Sequence, residues 1–178
     1  TLGIMKGKMY WCECTRCLNL LLTYPEGCRA NCAYCGLARH REAERDYADR
    51  NFIRVYWPAV PLEQTIDIVA RDGAASPFHR MCISMITHPE SNADTYVLLD
   101  KWVREVPQVP VSILSNPTTL ERDDLVRMRD MGAEIFTVAL DAVTPAIFDR
   151  TRGKGVDSPH KYDKYWAAIE WAAEVFGP

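Results

Sequence analysis

No apolar run in this chain, such as Leu20 to Leu22, approaches the roughly 20 residues that a membrane-spanning helix needs. The opening segment TLGIMKGK has no hydrophobic signal region, so a soluble, cytoplasmic protein with no membrane partner is expected. The missing initiator methionine is read as processing or trimming of the N-terminus. Charge of one sign is also lacking: 21 Lys and Arg face 24 Asp and Glu, a formal net charge of -3, with no long basic or acidic run. That leaves no electrostatic footprint for nucleic acid or anionic lipid and favours a small-molecule or protein substrate. Low-complexity tracts are absent too. What remains is 178 residues, 48% hydrophobic and 25% charged, enough for one substantial core.

Cysteine, by contrast, is plentiful and unevenly placed. Seven is an odd number for a secreted disulfide framework, and six of the seven lie between residues 12 and 35. In a cytosolic chain such crowding points to metal or catalysis. Two groups separate: CECTRC, with Cys12, Cys14 and Cys17, and CRANCAYC, with Cys28, Cys32 and Cys35. Cys82 stands alone in the apolar stretch MCISMI and is read as a small core residue.

The rest of the chain alternates regularly. LNLLLTY (18–24) is an apolar run expected of a strand covered on both faces, and it leads into the second cysteine group. VPLEQTIDIVARDG (60–73) predicts a helix with Pro61 at its start and Gly73 as its stop. RMCISMITH (80–88) is a second strand. A helix is expected from near Ser91, with Asp94 completing a capping box and Leu98, Trp102 and Val106 facing inward. VPVSILSN (109–116) is a third strand, and Thr118 with Glu121 predicts another capping box before LERDDLVRMRDMG (120–132). EIFTVALD (134–141) is the fourth strand and SPHKYDKYWAAIEWAAEVFG (158–177) the longest helix.

Strand, loop and helix repeated in this way argue for parallel strands and right-handed crossovers, hence an α/β fold. A doubly wound sheet and a partial (β/α) barrel both fit. In either, ligands gather at the C-terminal ends of the strands. That rule selects the cysteine loop, then Thr87 and His88, then Ser115 and Asn116, then Asp141. RHREAERDYADR (39–50) reads as a solvated helix face, NFIRVYWPAV (51–60) as an aromatic segment that either packs over the cysteine loop, the favoured reading, or belongs to a substrate lid, and His88 as a turn histidine.

Cys28, Cys32 and Cys35 pose a question of number. A closed structural zinc site takes four N or S ligands, and a cubane iron–sulfur cluster normally takes four thiolates. Three thiols on one loop would leave one iron open to an external ligand.

CxxxCxxC after the first strand, with aromatic Tyr34 just before the last cysteine, resembles the signature of the radical S-adenosylmethionine (SAM) enzymes. The resemblance implies a partial TIM-type (β/α) barrel, of which about four βα units are present. It implies a [4Fe-4S] cluster on Cys28, Cys32 and Cys35, with SAM chelating the fourth iron and Tyr34 near the adenine. Reduction by a donor such as ferredoxin or flavodoxin would cleave SAM to a 5'-deoxyadenosyl radical. ALDAVTPAIFDRTRG (139–153) resembles the fourth-strand region of the biotin and lipoyl synthase-like branch. On that resemblance Thr87, Ser115, Asn116, Asp141 and Arg152 are cofactor or substrate contacts, with Asp141 also the catalytic candidate and Arg152 a carboxylate partner.

CECTRC resembles the additional cysteines of sulfur-inserting members, although the usual lipoyl synthase spacing is wider. Cys12, Cys14 and Cys17 would then hold an auxiliary [4Fe-4S] cluster consumed as sulfur donor. The implied function is sulfur insertion into an octanoyl chain on a carrier protein, as in two-component lipoyl synthases with a partner radical SAM subunit. Two alternatives stay open: a radical SAM mutase, methylating or cofactor-biosynthesis enzyme with a structural metal at CECTRC, and a non-catalytic zinc or iron–sulfur module. Residues 1–18 are read as a cysteine-rich extension and 19–178 as the first part of a longer barrel.

Overall fold

A computed structural model describes residues 16–40, 59–73 and 76–177. Four strands, β1 (Cys17–Leu21), β2 (Arg80–Ser84), β3 (Val111–Ser115) and β4 (Ala133–Val138), form one parallel sheet in the order β1-β2-β3-β4. The helices between and after them are α1 (Leu62–Asp72), α2 (Ser91–Glu105), α3 (Arg122–Asp130), α4 (Pro145–Thr151) and α5 (Tyr162–Phe176). Sequential strand order decides between the two architectures left open by the sequence, because a doubly wound sheet reverses its order at a switch point. This sheet does not reverse. It is a partial TIM-type barrel.

Side-chain alternation gives the same answer. Leu18, Met81, Ile83, Val111, Ile113 and Phe136 share one core with Ile66 and Val69 of α1, Leu99 and Trp102 of α2, Leu125 and Met128 of α3 and Val175 of α5. The packed helices thus lie on one face of the sheet, the outside of a barrel. By the period-2 pleat the other face carries Cys17 and Asn19 of β1, Arg80, Cys82 and Ser84 of β2, Ser112 and Leu114 of β3, and Ile135 and Thr137 of β4. That inner face is mostly polar, so β1 and β2 are not the strands apolar on both faces that their sequences suggested. Cys82 correspondingly lies opposite the core and is only half-buried.

Several local expectations shift for identifiable reasons. Ser91 and Asp94 make no capping box: Glu90 is the N-cap of α2 without a side-chain cap bond, and the Ser91 hydroxyl donates to the His88 carbonyl at 2.9 Å. The box expected at Thr118 and Glu121 forms three residues later, between Glu121 and Asp124. Pro117 opens a 3-10 turn (Pro117–Thr119) capped by Asn116, and this uses Thr118 before α3 begins. α5 starts at Tyr162, after Pro159 instead of around it. α4, hidden in the TPAIFDRT stretch, is capped by Thr144 and has Pro145 in its first turn. The segments 41–58, which include most of the charged and aromatic stretches, lie outside the described residues.

Gly132, between α3 and β4, has φ 104°, and a Cβ placed there would lie 3.0 Å from Val103 Cγ2 on α2. Both conditions require glycine. Gly132→Ala is expected to destabilise the protein by about 1–3 kcal/mol, measured by urea denaturation; a change below about 0.5 kcal/mol, the size of an ordinary surface effect, would contradict the reading.

Candidate active site at the C-terminal ends of the strands

β1 hands the chain directly to the cysteine loop. Leu22 N–H donates to the Ser84 carbonyl at 3.1 Å, extending the ladder by one step, and Gly27, at φ 71°, turns the chain with its N–H on the Tyr24 carbonyl at 2.9 Å. The loop is then fastened at several points. Arg29 N–H donates to the Thr87 carbonyl at 2.8 Å, beyond the end of β2. Ala33 N–H donates to the Thr151 carbonyl at 2.8 Å, at the end of α4. Asn31 donates from its backbone to Ser158 Oγ at 3.2 Å and from Nδ2 to the Val156 carbonyl at 2.6 Å. Arg39 reaches both the carbonyl and the carboxylate of Asp157, at 2.7 and 2.6 Å. The loop is therefore clamped between the top of β2 and the segment that follows α4.

Of the three loop cysteines, Cys32 is buried and Cys28 and Cys35 are partly so. Burial pushes the Cys32 thiol up to about 11. The neighbouring Arg152 cation and a hydrogen bond from Ser158 oppose that shift, while Cys28 and Cys35 add to it, which places all three thiols within electrostatic reach. Cys35 N–H donates to the Cys32 carbonyl at 3.1 Å, and Leu37 N–H points at Cys35 Sγ at 3.4 Å. Among the described residues no three His, Cys, Asp or Glu side chains are already gathered around one point. The donor set is nonetheless the soft, three-thiol kind that suits an iron–sulfur cluster with one iron unclaimed by the loop.

Arg152 is 8% exposed and lies at the centre of what surrounds the loop. Its guanidinium donates to the Asp141 carboxylate and to the Ala139 carbonyl, and it stands 4.6 Å over the Tyr165 ring. Its Nε is buried with no acceptor among the described residues, a donor left over in a cation otherwise well satisfied. Asp141 adopts the left-handed φ of 59° just past β4, a conformation aspartate tolerates better than most residues. It also accepts a 2.8 Å hydrogen bond from Tyr34 in the loop. Tyr34, Asp141 and Arg152 are thus brought together with Cys32.

Thr87 and Asn116 are also brought together, one layer below: Asn116 Nδ2 donates to Thr87 Oγ1, and both residues are buried. Ser115 is placed differently. Its hydroxyl donates to the Thr137 carbonyl at 2.9 Å, tying β3 to β4. Cys17 opens β1 at the other end of the sheet, and Cys12 and Cys14 lie outside the described residues. His88 is a buried turn histidine stacked on Tyr24, with ring centroids 3.7 Å apart. Its Nδ1 accepts from Glu90 N–H at 3.3 Å, which leaves its Nε2 to face Glu26 at 3.7 Å.

Sequence reasoning missed the polar relay beneath the site. Tyr165 OH contacts Asn116 Oδ1 at 3.4 Å and His160 Nδ1 at 3.2 Å, and His160 Nδ1 also contacts Thr118 Oγ1. The relay joins β3 and α5 to Arg152 through the Tyr165 ring. Burial, with the Arg152 charge adding to it, pushes His160 down to about 3. The imidazole is neutral at physiological pH.

Comparison with known proteins adds family to geometry. The model described as the radical SAM superfamily matches residues 22–178. No curated protein matches the chain. Among solved structures, the crystal structure of methylornithine synthase (PylB) superposes with a TM-score of 0.62 at 17% sequence identity, covering 88% of this chain and 41% of that one. The chain therefore spans less than half the length of that structure.

Because the folded pKa of His160 lies below the usual histidine value of about 6.5, the unfolded state takes up the proton first as pH falls. The stability contributed by neutral His160 is complete above about pH 6.5 and is lost as pH falls toward about 3. Urea denaturation of the metal-free protein should show a pH slope in this window steeper in wild type than in His160→Gln, by up to about 1.4 kcal/mol per pH unit. Equal slopes would place His160 in contact with solvent.

Proposed function

This chain belongs to the radical SAM superfamily, and we propose that it uses radical chemistry to insert sulfur at unactivated carbons of an octanoyl chain on a carrier protein. The observation that carries the radical reading is the three-thiol loop at the C-terminal ends of the strands, with Arg152, Asp141 and Tyr34 around it. A [4Fe-4S] cluster, when bound there, supplies the electron that cleaves SAM to methionine and a 5'-deoxyadenosyl radical. The protein's own residues bind, orient and exclude water.

Cys28, Cys32 and Cys35 would hold the cluster, leaving one iron for the amino and carboxylate groups of SAM. Arg152, a buried cation with an unused Nε–H, is suited to pairing with a carboxylate. Asp141 accepts hydrogen bonds from Tyr34 and Arg152 and is the acceptor best placed for an amino or hydroxyl group of the cofactor. Tyr34, 36% exposed, presents a ring face suited to the adenine. Thr87 and Asn116 support the loop from below, through the Thr87 carbonyl and their mutual hydrogen bond.

Sulfur insertion itself is supported by CECTRC, whose three cysteines suit an auxiliary [4Fe-4S] cluster that would serve as the sulfur source. An octanoylated carrier protein, a partner radical SAM subunit and a ferredoxin or flavodoxin are the partners this reading requires. A second reading, radical rearrangement or methylation with a structural metal at CECTRC, is favoured by one observation: Cys17 opens β1 at the end of the strand remote from the three-thiol loop. The likeness to methylornithine synthase, at 17% identity, concerns the fold and does not decide between them.

Full-length protein, reconstituted anaerobically with iron and sulfide and given SAM and dithionite, should release 5'-deoxyadenosine, and Cys32→Ala should reduce release to background. No product from wild type would contradict the radical reading. With an octanoylated carrier domain, mass spectrometry should show sulfur added to the acyl chain; 5'-deoxyadenosine without sulfur addition would move the assignment to rearrangement or methylation. Arg152→Gln is expected to raise KM for SAM by about 10- to 100-fold, the value of one charge-assisted pair, with partial recovery in Arg152→Lys. An unchanged KM in both would remove Arg152 from the cofactor site.

A further inference from the structure

RGKGVDS (152–158) carries the chain from α4 towards α5 and does so in a tight turn. Arg152 N–H and Gly153 N–H both donate to the Phe148 carbonyl, at 2.7 and 2.8 Å, and Ser158 N–H returns to the Gly153 carbonyl at 3.1 Å. The turn presses on the backbone of α4. A Cβ on Gly153 would lie 2.9 Å from Asp149 Cα, and one on Gly155 would lie 2.6 Å from the Asp149 carbonyl oxygen. Glycine at both positions permits that approach. The chain thereby doubles back, and Arg152 and Ser158, six residues apart, both come to act on Cys32 of the cysteine loop.

Ser158 is 9% exposed and Cys32 7%. Ser158 Oγ accepts the Asn31 N–H at 3.2 Å, and the side chain also hydrogen-bonds to Cys32. A serine hydroxyl has a single hydrogen to give, so with Asn31 N–H on its lone pair that hydrogen goes to the Cys32 sulfur. The Arg152 cation acts on the same sulfur. Away from water, a donor and a cation stabilise negative charge on sulfur more strongly than they would in solution. Leu37 N–H stands against Cys35 Sγ at 3.4 Å, but any residue supplies a backbone amide. Ser158 is a side chain placed for one sulfur.

We infer that Ser158 is a tuning residue for the three-thiol loop: its hydroxyl, donating to the Cys32 sulfur, raises the reduction potential of a [4Fe-4S] cluster held by Cys28, Cys32 and Cys35. The inference rests on the reading of that loop as the cluster site and is independent of sulfur insertion. Reduction adds one electron from the external donor, and with it one negative charge shared by the cluster and its thiolates. Hydrogen bonds to the sulfurs are among the determinants of potential, and a donor favours the more negative, reduced state. Ser158 therefore bears on how readily a ferredoxin- or flavodoxin-class donor reduces the site. Its removal should lower the potential.

The test uses full-length protein carrying Cys12→Ala, Cys14→Ala and Cys17→Ala, so that the signal read belongs to the loop. After anaerobic reconstitution, iron is counted and the midpoint potential is measured by redox titration followed by electron paramagnetic resonance, without SAM. Ser158→Ala should make reduction about three- to tenfold less favourable, a midpoint lower by about 30 to 60 mV for a one-electron couple. Ser158→Thr, which keeps the hydroxyl, should stay near the parent value, and Ser158→Val, its match in shape, should fall as Ser158→Ala does. Asn31→Ala removes a tie between the loop and the same turn, from Nδ2 to the Val156 carbonyl at 2.6 Å, and leaves the Ser158 hydroxyl in place. It should lower thermal stability with little change in midpoint. An unchanged or raised midpoint in Ser158→Ala would overturn the inference while leaving the cluster reading intact. So would an equal shift in Asn31→Ala, or complete loss of iron from Ser158→Ala, since either would make Ser158 a brace for the loop. No iron in the parent protein would overturn the cluster reading and the inference together.

Discussion

A buried cation holds this site together. Arg152 is almost fully enclosed, and removing a guanidinium from water costs several kcal/mol unless its hydrogen bonds and charge are met inside. They are met by the Asp141 carboxylate, the Ala139 carbonyl and the face of Tyr165. Because those partners come from the end of β4 and from α5, and because Tyr34 of the cysteine loop shares the same carboxylate, the pair joins three parts of the chain at one point. Asp141 keeps a left-handed backbone to do so. The loop's remaining ties, to Thr87, Thr151 and Ser158, then fix Cys32 beside that charge, where the cation offsets part of the cost of forming a buried thiolate.

The sheet explains why such a site is available. Helices packed on one face leave the other face of the strands free of core, and the sequence fills it with Cys17, Asn19, Arg80, Cys82, Ser84, Ser112 and Thr137. A polar inner face with chemistry at the C-terminal end is the division of labour expected of a (β/α) barrel. Here the inner face also carries Cys17, Cys82 and Arg80 at the opposite end of the strands.

Much of this was legible in the residues. The four strands and the helices after the first three were marked by apolar runs and by Pro and Gly punctuation, and CxxxCxxC with Tyr34 marked the loop. The strand-end rule selected Thr87, Asn116 and Asp141, which the structure places at the top of the sheet near the loop. Other features depended on partners far away in sequence. Whether Cys82 faced the core or the lumen depended on pairing with β1, more than 60 residues earlier. His160 and Tyr165 join the site through Asn116 and Arg152, contacts that no local pattern announces. Ser115 followed the same strand-end rule as Asn116, yet the pleat turns alternate residues to opposite faces, and its hydroxyl bonds to β4. The displaced capping box has a local cause: Pro117 starts a turn of its own before α3.

Three thiols on the loop would leave one iron of a cluster open to SAM. The most direct measurement is the electron paramagnetic resonance spectrum of the anaerobically reconstituted, dithionite-reduced protein, recorded before and after SAM is added. If one iron is open, the signal should change on addition of SAM, and a protein lacking Cys32 should show none at the same position. A cluster signal that SAM leaves unaltered would mean that no iron is open to the cofactor, and would contradict that reading.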